Sequence, residues 1–213
     1  MTTETIKTPG GKPVINRAAL PIAALAFPMV IENVFRMLVS SVDTVMLSSY
    51  SQESVAGVGL VAQYIFFLQI LFNVIATGTS IVLSQYLGGK RMEESRQVAQ
   101  ASGVMVTIAG IVLSLAVIAG TGPLLGAYTL DPAVRAAARD YLLVYGGGGS
   151  LFIAFNIMQG TVLRAYGYTR DAMYITFVAN IVNVIGNALS LYGFFGLPVL
   201  GVAGVAASSA FAQ

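Results

Sequence analysis

The 213-residue sequence has no cysteine and no histidine. Lack of cysteine rules out disulfides, thiolate metal sites and thiol nucleophiles. Lack of histidine removes the commonest general base and the commonest metal ligand. Charge is also scarce, at 9% of residues against about 25% in a soluble domain. The net charge of +2 offers nothing for nucleic acid to bind. No nucleophile–base pair or metal-ligand cluster is visible either, so the sequence does not read as an enzyme and calls for no cofactor or bound metal.

What fills the sequence is apolar. Hydrophobic residues make up 56% and mean hydropathy is +0.80. The expected fold class is therefore an all-α membrane protein, a six-transmembrane-helix bundle. Its apolar segments are 18–47, 55–87, 98–121, 133–163, 172–192 and 197–213. A perpendicular span needs about 20 residues, so the longer segments predict tilted helices that project beyond the hydrocarbon. The joints are short, and Gly196 and Pro198 break the last one. Residues 1–17 form a polar tail, expected to be disordered or to lie on the membrane surface. The run after it is too long for a signal-peptide core. Residues 18–213 form the transmembrane unit. Its sixth segment has no basic stop after it, and the chain is expected to be truncated there.

Basic residues predict the orientation. Lys7, Lys12, Arg17, Lys90, Arg91, Arg96, Arg164 and Arg170 fall on one side of a six-span arrangement, and Arg135 and Arg139 on the other. The positive-inside rule makes the N-terminus cytoplasmic, in a multi-pass protein of the cell (inner or plasma) membrane.

Glu32, Arg36 and Asp43 sit deep in the first apolar segment. On a helical wheel Arg36 lies about 40° and Asp43 about 20° round from Glu32. A charge in hydrocarbon costs about 2.5–3.5 kcal/mol on insertion scales, so one shared face points to an ion or substrate pathway inside the bundle. Plainer readings remain open: an i, i+4 salt bridge for Glu32 and Arg36, and an interfacial position for Asp43. In a partly wet pocket Asp43 could exchange a proton, or bind Na⁺ with amide and carbonyl oxygens.

Polar stripes mark three more segments. Gln69, Asn73, Thr77, Ser80 and Ser84 share one face of the second, and Asn180, Asn183 and Asn187 one face of the fifth. Asn156 and Gln159 are a turn apart on the fourth, after a glycine run at 146–149. Interhelical hydrogen bonding accounts for the serines and threonines; three asparagines in line suit a wet cavity beside Asp43. The glycine run predicts close helix approach or a bend.

Three stretches together resemble the multidrug and toxic compound extrusion (MATE) transporters. The first is 21–46, ending Val42-Asp43-Thr44-Val45-Met46. The second runs from Val55-Ala56-Gly57-Val58-Gly59-Leu60 to Gln85-Tyr86-Leu87-Gly88-Gly89-Lys90. The third is Leu163-Arg164-Ala165-Tyr166-Gly167-Tyr168-Thr169-Arg170, followed by the asparagine helix and Gly196-Leu197-Pro198. The resemblance covers nearly everything from about residue 18. It implies the N-terminal lobe of a twelve-helix, two-lobe antiporter that exports organic cations or drugs against H⁺ or Na⁺. The partners implied are the lipid bilayer, a small organic cation and a missing C-terminal lobe. It further implies a coupling-ion site at Asp43 with Asn156, Asn180, Asn183 and Asn187, and a helix bend at Pro28. Glu32, Arg36, Gln69 and Asn73 are expected to line the substrate cavity. Some members carry a second acid on the fifth helix where this chain has Asn187, which leaves H⁺ or Na⁺ open as coupling ion. The alternatives are a related lipid-linked oligosaccharide flippase, which wants basic cavity residues, and a non-transporting half-protein.

Overall fold

The computed structural model describes residues 5–7, 13–15, 22–193 and 199–213. Within the tail, β1 (Thr5–Lys7) pairs antiparallel with β2 (Pro13–Ile15), Thr5 opposite Ile15. Pro13 opens its strand, where its missing N–H costs least. The tail thus carries local pairing that its polar composition did not announce. The Gly196/Pro198 turn lies outside the described residues.

The rest is helical. Helices α1 (Ile22–Tyr50), α2 (Gln52–Gly88), α3 (Met92–Gly126) and α6 (Thr169–Tyr192) are each long and apolar enough to cross a membrane. In hydrocarbon the backbone must satisfy its own hydrogen bonds, and the helix does so within one segment. Polar signals set the ends. Ser51 accepts from the Ser54 amide at 3.1 Å and caps α2; Asp131 accepts from the Ala133 amide at 3.0 Å and caps α4 (Pro132–Tyr141). Pro132 takes the first helical position, where its lacking N–H is no loss. Arg135 reaches back to the C-terminal end of α3 and donates to the Leu125 and Tyr128 carbonyls, both at 2.9 Å. This satisfies carbonyls that the helix leaves open.

The fourth apolar segment is not the single helix that its hydropathy suggests. α4 passes into a π-helical stretch, Leu142–Gly148, and then into α5 (Ser150–Ala165), with a 50° bend between the two halves. The Gly149 amide bonds the Val144 carbonyl, five residues back, at 2.8 Å. Two hydroxyls serve carbonyls at the break: Ser114 donates to Gly147 at 2.8 Å, and Ser150 donates to Gly146. The glycines also let neighbours in. A Cβ at Gly146 would stand 2.8 Å from Ile65 Cδ1, and one at Gly147 2.8 Å from Ile118 Cγ1. The run therefore provides both a bend and a close approach.

α2 is the central element, packed by α3, α4 and α5. Val61, Ile65, Leu68 and Phe72 of α2 meet Val106, Leu142, Ile153 and Met158 in the core. α1 runs mainly along α6, with the Phe35 and Phe177 rings 4.4 Å apart, and α6 in turn packs on the short α7 (Gly201–Phe211). Most of α1 therefore stands off from α2 and α5, and the gap between them is the cavity.

Candidate ion and substrate cavity

The cavity has a volume of about 660 Å³ and is lined by residues of α1, α2, α5 and α6, the end of α4, the π-helical stretch and the chain beyond α6. Glu32, Arg36 and Asp43 of α1 all line it, as the wheel predicted. So do Gln69 and Asn73 of α2, Asn156 of α5, and Asn180 and Asn183 of α6.

Asp43 is half-buried, and its Oδ1 accepts from Asn187 Nδ2 at 2.9 Å. The same amide group donates to Asn183 Oδ1 at 3.2 Å, one turn earlier on α6. Asn187 Oδ1 accepts from Ser208 Oγ at 3.0 Å, and Asn183 Nδ2 donates to Ser209 Oγ at 3.0 Å. Asn187 is only 1% exposed, so its amide is held by partners and not by water. A serine hydroxyl on its oxygen leaves the N–H₂ side to face the carboxylate. The result is one carboxylate held by an amide N–H₂, with the nearby amide oxygens accepting from Asn187 and Ser208, so the carboxylate itself is the group here that can take up H⁺ or a cation.

Other predicted members share the cavity without joining this chain of bonds. Asn180 donates to the Thr176 carbonyl at 2.7 Å, and Asn156 to the Gln213 main-chain oxygen at 2.6 Å. Asn73 donates to the Gln69 carbonyl at 2.7 Å within its own helix. The α2 stripe divides along its length. Thr77, Ser80 and Ser84 do not line the cavity, and Ser84 bonds the Ser80 carbonyl inside α2 instead of crossing to another helix. The α2–α3 hydroxyl bond comes from Thr79, donating to Ser102 at 3.0 Å.

At the other end Glu32 is 6% exposed. Arg36 bonds it at 3.1 Å, as i, i+4 spacing predicts. Arg164 and Thr176, unforeseen, also reach Glu32 Oε1 at 3.4 and 3.1 Å. Arg164 closes α5, and its long side chain reaches back to line the cavity. Thr176 was legible, being one turn before Asn180 on the same stripe. Ser208 and Ser209 carry no such signal, because α7 up to Ala210 holds nothing larger than valine.

The MatE family pattern matches residues 28–189. This chain belongs to the MatE family. The uncharacterized transporter YisQ of Bacillus subtilis is 39% identical over 191 residues, which is 89% of this chain and 42% of that protein. A probable multidrug resistance protein NorM of Thermotoga maritima is 29% identical, over 87% of this chain and 40% of that protein. Among solved structures, a MATE in complex with MaL6 superposes with TM-score 0.83 at 23% identity, over 90% of this chain and 41% of that one. A MOP superfamily transporter from Pyrococcus furiosus gives TM-score 0.80 at the same identity and coverage. This MatE chain spans about two fifths of the length of the relatives it matches. It has the MATE fold over about one lobe, is a multi-pass membrane protein, and falls in a family of transporters, not enzymes.

Proposed function

We propose that this chain is the N-terminal lobe of an antiporter that expels organic cations or drugs against inward H⁺ or Na⁺, needing no other cofactor. A second lobe completes the substrate path, and the N-terminus faces the cytoplasm of the cell membrane. The observation that supports coupling most directly is Asp43, which lines the cavity together with the substrate-facing groups and is held from behind by the buried Asn187. In the outward-facing state Asp43 takes up the ion and loses its charge. The cavity's two carboxylates, Glu32 and Asp43, then no longer balance the guanidiniums of Arg36 and Arg164, and a cationic substrate leaves. α1 repacks around Pro28, the lobes rock inward, and the ion departs to the cytoplasm. An ion can drive that cycle only by binding one state better than the other, and neutralising Asp43 creates such a difference.

With Asp43 ionised, the four charges cancel. That balance speaks against a lipid-linked pyrophosphate as cargo. The test is Asp43→Asn in the full-length protein, assayed in everted vesicles for ethidium transport driven by an imposed H⁺ or Na⁺ gradient. Loss of gradient-driven transport is expected. Intact gradient-driven transport sinks the coupling role, and no transport by the unmodified protein favours a non-transporting half-protein.

A further inference from the structure

Two polar contacts of α1 with α6 share one register. Glu32 meets Thr176 and Asp43 meets Asn187, each pair 144 positions apart. The two helices therefore run parallel, and a level on one can be counted on the other. One turn beyond the Asp43–Asn187 pair stand Leu47 and Leu191, both buried. With Val202 and Val205 of α7 and Ala137 of α4 they form an apolar cluster separate from the core around α2. Tyr141 packs against this cluster and also lines the cavity, so the cluster begins where the cavity wall ends. On α1 the cavity lining stops at Asp43, and none of Leu47, Leu191, Val202 and Val205 borders it. Further on, about 9 Å past Asp43 at 1.5 Å per residue, the Ser49 and Tyr192 hydroxyls meet at 2.6 Å. α7 closes the remaining side. A Cβ on Gly204 would stand 2.6 Å from Ser190 Cβ, and one on Gly201 3.0 Å from the Tyr50 hydroxyl, so α7 packs directly on α6 and on the end of α1.

We propose that Leu47, Leu191, Val202 and Val205 form a dry seal between Asp43 and the far ends of α1 and α6, and that the seal keeps the coupling ion from leaking across the lobe. The inference rests on the coupling role proposed above for Asp43. In the orientation proposed there, the far ends face away from the cytoplasm. A carboxylate that takes up an ion on one side and releases it on the other becomes a conduit if both sides reach it at once. The cavity already gives Asp43 one opening. A second opening along the α1–α6 seam would let H⁺ or Na⁺ run down its gradient without moving cargo. An apolar constriction prevents this because it holds no water to carry the ion, and a bare charge is costly among hydrocarbon side chains. The ion is then left with the cavity as its way in and out, and its passage stays tied to the movement of the lobes.

The test is passive ion flux into proteoliposomes that hold the full-length protein and no cargo, read with an entrapped pH dye for H⁺ and with radioactive tracer for Na⁺. Leu47→Ala and Leu191→Ala are expected to raise the flux of one of these ions about tenfold or more over the unmodified protein, a factor of ten being about 1.4 kcal/mol off the barrier. Leu47→Met keeps the volume and should stay tight. Val205→Thr adds a hydroxyl at nearly unchanged size; it should also leak, and it carries the test if an alanine variant does not fold. Phe72→Ala is the control. It empties part of the buried core around α2, so it should lower the melting temperature and leave the flux unchanged. A merely structural cluster predicts lower melting temperatures for the leucine variants with flux at the unmodified level. That result, or a flux raised as much by Phe72→Ala, overturns the proposal. The flux needs neither cargo nor turnover, so it is read whether or not Asp43→Asn abolishes gradient-driven ethidium transport, and the two readings fail independently.

Discussion

Asn187 reaches Asp43 across 144 positions of sequence, Nδ2 to Oδ1 at 2.9 Å, and joins α1 to α6 at one buried point. Asn187 is buried and Asp43 half-buried, so each covers a polar group of the other that is wholly or partly cut off from water. Removing one therefore costs more than the bond itself, about 1–3 kcal/mol for an unsatisfied buried group.

Asn187→Ala is accordingly expected to lower gradient-driven efflux about tenfold or more, since 1.4 kcal/mol is a factor of ten. Initial rates in everted vesicles, normalised to protein in the membrane, check it. An unchanged rate would remove Asn187 from the coupling site.

Ser208 acts on Asp43 only through Asn187. Its hydroxyl donates to Asn187 Oδ1 at 3.0 Å and so fixes which way the amide faces. In Ser208→Ala that amide keeps only its N–H₂ bonds to Asp43 and Asn183, and its orientation is held less firmly. Efflux in Ser208→Ala is expected to fall about 3- to 10-fold, less than for Asn187→Ala, consistent with the loss of one neutral hydrogen bond. The double variant should be no worse than Asn187→Ala alone, because both act on one chain of bonds. Additive losses in the cycle would show that Ser208 works elsewhere.

What the sequence reveals about this site follows from its period. Glu32, Arg36 and Asp43 share a helix face, as do Asn180, Asn183 and Asn187, and a face survives folding intact. Partnership across helices has no such signature. That Asn187, and neither Asn180 nor Asn156, meets Asp43 depends on where α1 lies along α6. The reach of Arg164 into the cavity has no such signature either, because position in a joint says little about where a long side chain ends. The break in the fourth segment was harder still. Beyond Arg135, Arg139 and Asp140 near its start, 133–163 reads as one apolar run, and only the glycines hint at the π-helical stretch and the bend. Ser208 and Ser209 lie in a helix of small residues, where a serine looks like any other means of close packing.

Two glycines two residues apart in α2, which puts them on opposite faces of it, make a controlled test of packing. A Cβ at Gly57 would meet the Val134 carbonyl oxygen at 2.7 Å, Ala137 Cβ at 2.8 Å and the Ala138 amide nitrogen at 2.9 Å. Most of that obstruction is backbone of α4 and cannot swing aside. At Gly59 nothing lies within 4 Å. Gly57→Ala is expected to destabilise by about 1–3 kcal/mol through overpacking. Gly59→Ala should be neutral or stabilising, as alanine is the better helix former. Thermal unfolding in detergent, followed by size-exclusion fluorescence, gives both. Equal melting temperatures would mean that α2 and α4 are not in close contact at Gly57.

Pro28 precedes both polar tethers of α1, about one turn before Glu32, which is tied to α5 and α6, and about four turns before Asp43, which is tied to α6. Without an N–H it cannot bond the Ala24 carbonyl, so the helix is weakest at that turn. Bending there moves the start of α1 while the tethered part stays in place, and releasing the Asp43 tether extends the movement along the helix. Pro28→Ala restores the missing bond. The melting temperature should hold or rise, while gradient-driven efflux falls about tenfold or more as the repacking of α1 becomes costlier by at least the 1.4 kcal/mol that a factor of ten represents. A loss of both would mean that Pro28 only packs. Full efflux with the bond restored would mean that α1 cycles without bending at this turn, leaving the movement to the lobe as a whole.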